Sequence, residues 1–85
     1  MRHARAADLA ALEPMLEQLR GVDGLVERTP GAFYRRSQGF LHFHIDGTDV
    51  YADVKIPGPS FERRRVTTKR EQAALVRDVR AVLGR

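Results

Sequence analysis

The sequence predicts an α+β fold: an antiparallel β-sheet of about four to five strands with N- and C-terminal helices packed on one face, in the order α-β-β-β-β-β-α. Residues 40–56 alternate apolar and polar side chains with a period of two, which is typical of half-buried strands. The segments near both ends instead repeat apolar residues at helical spacing. The length of 85 residues predicts a single domain, 1–85, with a core one layer thick.

The central segment, residues 40–56, predicts a β-hairpin that turns at Asp46-Gly47-Thr48. Its predicted buried face collects Leu41, Phe43, Ile45, Val50, Ala52, Val54 and Ile56. Its predicted open face collects Phe40, His42, His44, Tyr51, Asp53 and Lys55.

Two hairpin registers fit this pattern, and a shift of two residues leaves both faces unchanged. With Asp46-Gly47 as the turn, His42 faces Tyr51 and His44 faces Asp49. With Gly47-Thr48 as the turn, the partners become Asp53 for His42 and Tyr51 for His44.

Residues 5–20 carry leucines at helical spacing and predict an amphipathic helix that Gly21 ends. Pro14 lacks the N–H that would bond Ala10, so we expect a kink there or a true helix start near Glu13.

Short strands are expected before and after the hairpin, separated by proline and glycine turns. A bulge or tight loop is expected at residues 37–39, before Phe40. The predicted strands and turns are Leu25–Thr29, the turn Thr29–Gly31, Phe33–Arg36, the turn Pro57–Pro59, and Phe61–Thr67 as an edge strand.

Thr68 and Glu71 have the spacing of a capping box and predict the start of the second helix. Its apolar stripe includes Leu75, Val76 and Val79, and Gly84 is expected to end it.

Composition excludes several classes of site. The chain has no cysteine, so it has no disulfide, thiolate zinc site or cysteine nucleophile. We see no glycine-rich phosphate loop and no serine-nucleophile motif, and we expect no cofactor. Without a signal-peptide or membrane-spanning pattern, the chain is expected to be cytoplasmic and to bind no membrane.

The positive charge is concentrated in one segment. Residues 61–70 carry five basic side chains and one acidic side chain, which equals the whole net charge of +4. Arg63, Arg64 and Arg65 would either attract an anionic partner or form a solvated edge strand that resists aggregation. Aromatic residues beside arginines, as in Phe33–Arg36, also suggest nucleic-acid binding.

The His42-Phe43-His44 motif aims two imidazoles to one side of a strand, about 7 Å apart by strand geometry. These histidines would form a metal site if Asp53 or Asp49 supplied a third ligand. A histidine beside Asp53 is also the usual arrangement of a general base and its orienting carboxylate. His3 is expected in a frayed terminus.

The best interpretation of these features is a small binding or interaction module, more consistent with a non-enzymatic role. It would bind an anionic ligand or nucleic acid on its open sheet face. The alternatives are a metal-dependent or acid–base enzyme at His42, His44 and Asp53, and a self-association domain that dimerises through a sheet edge or face. The candidate ligand-binding residues are His42, His44, Tyr51, Asp53, Lys55, Arg63 and Arg65.

The segments Glu27–Gly31, Phe33–Arg36, Phe40–His44, Tyr51–Val54 and Phe61–Arg63 carry a family resemblance. Over most of its length the chain resembles a group of small uncharacterised actinobacterial proteins. The run from Phe33 to Ile56 is also similar, more weakly, to MmcQ/YjbR-like domains. That resemblance implies a long hairpin within an α+β fold and a role in DNA binding.

Overall fold

The computed structural model describes residues 1–83, and in this range the fold is mixed α+β around one antiparallel sheet. The elements are β1 Arg2–His3, α1 Ala6–Ala10, α2 Glu13–Arg20, β2 Val26–Thr29, β3 Ala32–Arg35, β4 Gln38–Asp46, β5 Asp49–Val54, β6 Glu62–Arg65 and α3 Lys69–Leu83. Strands β2 to β6 lie side by side in chain order, and β1 adds to β4. The predicted fold class is confirmed, and the predicted edge position of the last strand is also correct.

The core lies between the helices and the face of the sheet that was predicted to be apolar. Phe43 and Ala52 from the central hairpin are buried in the same cluster as Leu16, Leu75 and Val79 from the helices. The opposite side of the sheet, here called the outer face, carries the polar side chains of β4, β5 and β6. Burying the apolar side chains of the helices against one sheet face is the main stabilising contribution expected for so small a fold.

The N-terminal helical segment is two helices rather than one continuous helix over 5–20. α1 ends at Ala10 and α2 begins at Glu13, with Pro14 in its first turn. Proline is tolerated there because the first N–H groups of a helix have no partner within it. The expected alternative, a true start near Glu13, is therefore correct for α2.

The central hairpin adopts the register in which Gly47 and Thr48 form the turn. Asp46 pairs with Asp49, His42 with Asp53, and His44 with Tyr51. Gly47 has a φ of +65°, which suits glycine at the first central position of a two-residue hairpin turn.

The junction of β3 and β4 contains both a tight turn and a bulge. Arg35 pairs with Gln38 across the two-residue turn Arg36-Ser37, and the register shifts around Phe40. The bulge interrupts the alternation, so Phe40 is buried in the core cluster and does not share the outer face with the histidines as expected.

The N-terminus is ordered, which corrects the expectation that His3 is frayed. In β1, Arg2 pairs with Ile45 and His3 with His44. Ala4 then donates its N–H to the carbonyl of Phe43 at 3.2 Å. An ion pair from Arg2 to Asp8, with an N–O distance of 2.7 Å, fastens the strand to α1.

The predicted capping box of α3 is confirmed. The N–H of Glu71 donates to the Thr68 hydroxyl at 3.1 Å, and the Glu71 carboxylate accepts from the N–H of Thr68 at 3.0 Å. The predicted end of this helix at Gly84 lies outside the described residues. No helix in the described part of the chain has the length and apolar character needed to cross a membrane.

Candidate metal centre on the outer face

All three histidines of the chain meet on the outer face beside one carboxylate. The ring centroids of His42 and His44 are 5.1 Å apart, as β4 alternation requires. The His3 ring lies 4.4 Å from that of His44, because β1 pairs directly with β4. Together with Asp53, opposite His42 on β5, these residues are called the histidine cluster.

Asp53 is the centre of the histidine cluster. Its Oδ2 lies 3.4 Å from Nε2 of His42 and 3.2 Å from Nδ1 of His44. The ligand atoms offered by these three residues all lie within 4.8 Å of one another. Asp53 is also buried, with 9% of its surface exposed, which makes an unpaired charge at this position costly.

Arg63 from β6 compensates the buried charge of Asp53. Its guanidinium donates two hydrogen bonds of 2.8 Å, one to each carboxylate oxygen. This fork-to-fork arrangement is the strongest form of such a pair. The hydrogen bonds from Arg63 are the main reason that the pKa of Asp53 is lowered, which keeps the carboxylate ionised.

One nitrogen in the histidine cluster has no hydrogen bond. Nδ1 of His44 is buried and, among the described residues, has no donor or acceptor in hydrogen-bonding geometry. The carboxylate oxygen of Asp53 at 3.2 Å is close but not aligned. Buried polar atoms are nearly always hydrogen-bonded, so an imidazole nitrogen without a protein partner is unusual at this position.

Burial sets the protonation state of the two strand histidines. Removal from water lowers the pKa of His42 and His44, and this effect exceeds the opposing attraction of Asp53. Both rings are therefore expected to be neutral near pH 7, which is the form that binds metal ions.

Phe61 covers the histidine cluster on one side. Its ring meets the His42 ring edge-on at 5.1 Å, and Nζ of Lys55 lies 5.0 Å from the centre of the Phe61 ring. At 45% exposure Phe61 belongs to the outer face rather than the core, whereas Phe33 is buried. Lys55 is thus beside the cluster but outside the set of candidate ligands.

The other candidate residues on β5 and β6 are held by ion pairs. Arg65 contacts Asp49 at 3.0 Å and Glu71 at 2.7 Å, and Arg64 reaches across to Asp78 of α3 at 2.9 Å. Tyr51 is half-buried opposite His44. Each arginine of β6 therefore has at least one carboxylate partner.

Two features of this surface were missed in the sequence. His3 was expected in a frayed terminus, because a strand of only two residues has no recognisable periodicity. The ion pairs of β6 were missed because their partners lie 6 to 16 residues away in the chain.

Comparisons with protein-family models, with curated proteins and with solved structures found no match to this chain.

Proposed function

We propose that this chain is a small non-enzymatic binding module whose outer sheet face holds a divalent transition-metal ion through His42, His44 and Asp53. The observation that carries the proposal is the approach of two imidazole nitrogens to one carboxylate oxygen, at 3.2 and 3.4 Å. Two ligands bound about 2.05 Å from a tetrahedral zinc ion would be separated by about 3.3 Å. The distance from the Asp53 oxygen to each imidazole nitrogen therefore already matches the spacing between two ligands of one zinc ion, and all three donor atoms lie within 4.8 Å of one another.

The donor chemistry favours Zn²⁺. Imidazole and carboxylate are ordinary zinc ligands, whereas ions that prefer thiolates have no cysteine here. The unpartnered Nδ1 of His44 supplies a lone pair at the required place. Arg63 is not a ligand, but its two hydrogen bonds orient the Asp53 carboxylate, as residues outside the ligand set commonly do.

His3 is the nearest further donor. If His3 completes the set, the site has four protein ligands, which is the closed form of structural zinc sites. If His3 stays out, one coordination position remains open to water or substrate. Measured coordination number would therefore separate a binding module from a metal-dependent catalyst.

A thermal-shift and calorimetric titration with ZnCl₂ tests the proposal. An ion that binds only the folded state raises its stability by about 2.7 kcal/mol at a concentration 100 times the dissociation constant. Asp53→Asn should abolish the zinc-induced rise in Tm, as should His42→Ala combined with His44→Ala. Each variant is compared with its own metal-free Tm.

Asp49→Asn is the matched control, since Asp49 lies on the same strand and face and is paired with Arg65. It should leave the zinc shift unchanged. The proposal is wrong if zinc well above micromolar concentration leaves the wild-type Tm unchanged. It is also wrong if both aspartate variants reduce the shift equally.

Acid–base chemistry at the same residues is the second candidate. It is favoured by the partial exposure of the His42 side chain, 32%, beside an ionised carboxylate that could orient it. This chemistry needs no ion, so metal-free protein would retain it.

Binding of nucleic acid or another anion through Arg63 and Arg65 has less support. Their guanidiniums already hydrogen-bond carboxylates, and an incoming phosphate would have to displace those partners.

A further inference from the structure

A cleft of about 420 Å³ lies beside the start of β4, and no part of the histidine cluster lines it. It is bounded by the β3–β4 turn, by the segment after β5 and by the end of α3. Arg35, Arg36 and Lys55 contribute to its walls, and Val82, which is 43% exposed, supplies apolar surface. This turn cleft falls within the ~300–1,000 Å³ typical of small-molecule sites.

The charge of the turn cleft is entirely positive among its lining residues. Three basic side chains line it, and no aspartate or glutamate does. Within residues 1–83, Arg35, Arg36 and Lys55 form no ion pair, although arginines of β1, α2, β6 and α3 do. Like charges around one low-dielectric concavity repel each other and attract an anion.

The turn that presents Arg36 is conformationally costly. Arg36 and Ser37 have φ values of +53° and +68°, so both central residues occupy the left-handed region. A two-residue hairpin turn of this kind prefers Asn-Gly, because each larger residue pays a steric cost. Strained residues cluster at functional sites, and here one of the two strained residues is a cation that lines a cleft.

We propose that the turn cleft binds a small organic anion. Arg35, Arg36 and Lys55 hold its phosphate or carboxylate group, and Val82 contacts its apolar part. Arginine suits this role because its planar fork can donate two parallel hydrogen bonds to such groups. The site uses none of the proposed metal ligands, so it does not depend on the metal proposal.

Phenyl phosphate and benzoate serve as probes, titrated into metal-free protein at constant ionic strength and followed by amide chemical shifts. The two probes distinguish a phosphate from a carboxylate ligand, and inorganic phosphate measures what the aromatic ring adds. Arg35→Gln combined with Arg36→Gln should weaken binding of the preferred probe by about tenfold or more, since charge-assisted hydrogen bonds are lost.

Lys69→Gln combined with Arg70→Gln is the matched control. It removes two exposed charges at the start of α3, about 20 Å along the helix from Val82. The affinity of this control variant for the preferred probe should stay within about twofold of the wild-type affinity if the probe binds in the turn cleft. Equal weakening in both double variants would overturn the proposal, since net charge alone would explain it. The proposal would also be overturned if neither phenyl phosphate nor benzoate bound at 10 mM, since a dissociation constant of roughly that size is the weakest expected of a preformed site.

A second variant separates loss of binding from loss of folding. Arg36→Asn combined with Ser37→Gly relieves the turn while removing one cation, so it should raise Tm by about 4–8 °C. The same variant should bind the preferred probe several-fold more weakly. Unchanged affinity in this more stable protein would show that Arg36 does not contact the ligand.

Discussion

Two groups of arginines in this molecule have opposite surroundings. Those of β6, Arg63 to Arg65, form the densest basic run in the sequence, yet every one of them contacts a carboxylate. Arg35 and Arg36 are only two consecutive arginines, and they line a cleft that has no aspartate or glutamate among its lining residues. The densest basic run is therefore the one whose charge is compensated by carboxylates.

The difference arises from where the partners come from. Arg63 meets Asp53 because β6 pairs with β5, and Arg64 meets Asp78 because α3 packs behind the sheet. Local sequence contains neither fact. Charge density along the chain predicts an interaction surface only when the fold brings no opposite charge to it.

Arg63→Gln should produce the largest loss of stability in this comparison. It removes two charge-assisted hydrogen bonds and leaves the buried carboxylate of Asp53 without its cation. Because the Arg63 side chain is 48% exposed, solvent screens part of this loss, and we expect a clear decrease in the free energy of unfolding. Urea denaturation measures it. Arg35→Gln is the control and should change stability by less than about 0.5 kcal/mol. Equal losses of stability in the two variants would mean that ion pairing with a carboxylate does not distinguish the β6 arginines from those of the turn cleft.

Arg20 is another arginine that contacts a carboxylate, and Glu27→Gln tests that pair. The effect of this variant on stability should depend on pH. The side-chain hydrogen bond from Arg20 is the main reason that the pKa of Glu27 is lowered, and the N–H of Gly31 also donates to the carboxylate at 2.8 Å. Because this carboxyl group has a lower pKa in the folded state than in the unfolded state, its ionised form stabilises the fold. The contribution is fully present above the unfolded-state pKa and is lost as pH falls through the folded-state pKa.

We therefore expect Glu27→Gln to cost about 1–2 kcal/mol at pH 7. The difference from wild type should begin to shrink as pH falls below about 4.5, and it should keep shrinking as pH falls through the lowered pKa of Glu27. Glu17→Gln, on the exposed side of α2, is the control and should not show this cost. A difference that persists unchanged at pH 3 would contradict an ionic origin.

The sequence predicted most of the fold because its strongest patterns are local. Alternation assigned Phe43 to the core and His42 to the outer face, and the spacing of Thr68 and Glu71 located the start of α3. Alternation could not choose the hairpin register, because a shift of two residues conserves both faces. It also misplaced Phe40, where the bulge changes which way one side chain points.

The candidate site was only partly predictable for the same physical reason. His42, His44 and Asp53 were identified from one hairpin, where spacing decides geometry. His3 joins them through a pairing of only two residues, 41 positions away from His44 in the chain. The turn cleft depends on positive φ values at Arg36 and Ser37, residues that carry no turn preference strong enough to predict them.

The smallest expected effect concerns Arg64, whose pair with Asp78 joins the sheet edge to α3. The two side chains are 29% and 34% exposed, so solvent should screen most of their attraction. A double-mutant cycle of Arg64→Gln and Asp78→Asn, measured by urea denaturation, should give a coupling of about 0.5 kcal/mol. Arg77 also contacts Asp78, at 3.2 Å, and the cycle isolates the Arg64 contribution because Arg77 is present in all four proteins. The coupling should fall further in 1 M salt, where the Debye length is about 3 Å. A salt-independent coupling above about 1.5 kcal/mol would contradict this expectation. It would show that the pair stabilises the packing of β6 against α3 and is not a screened surface ion pair.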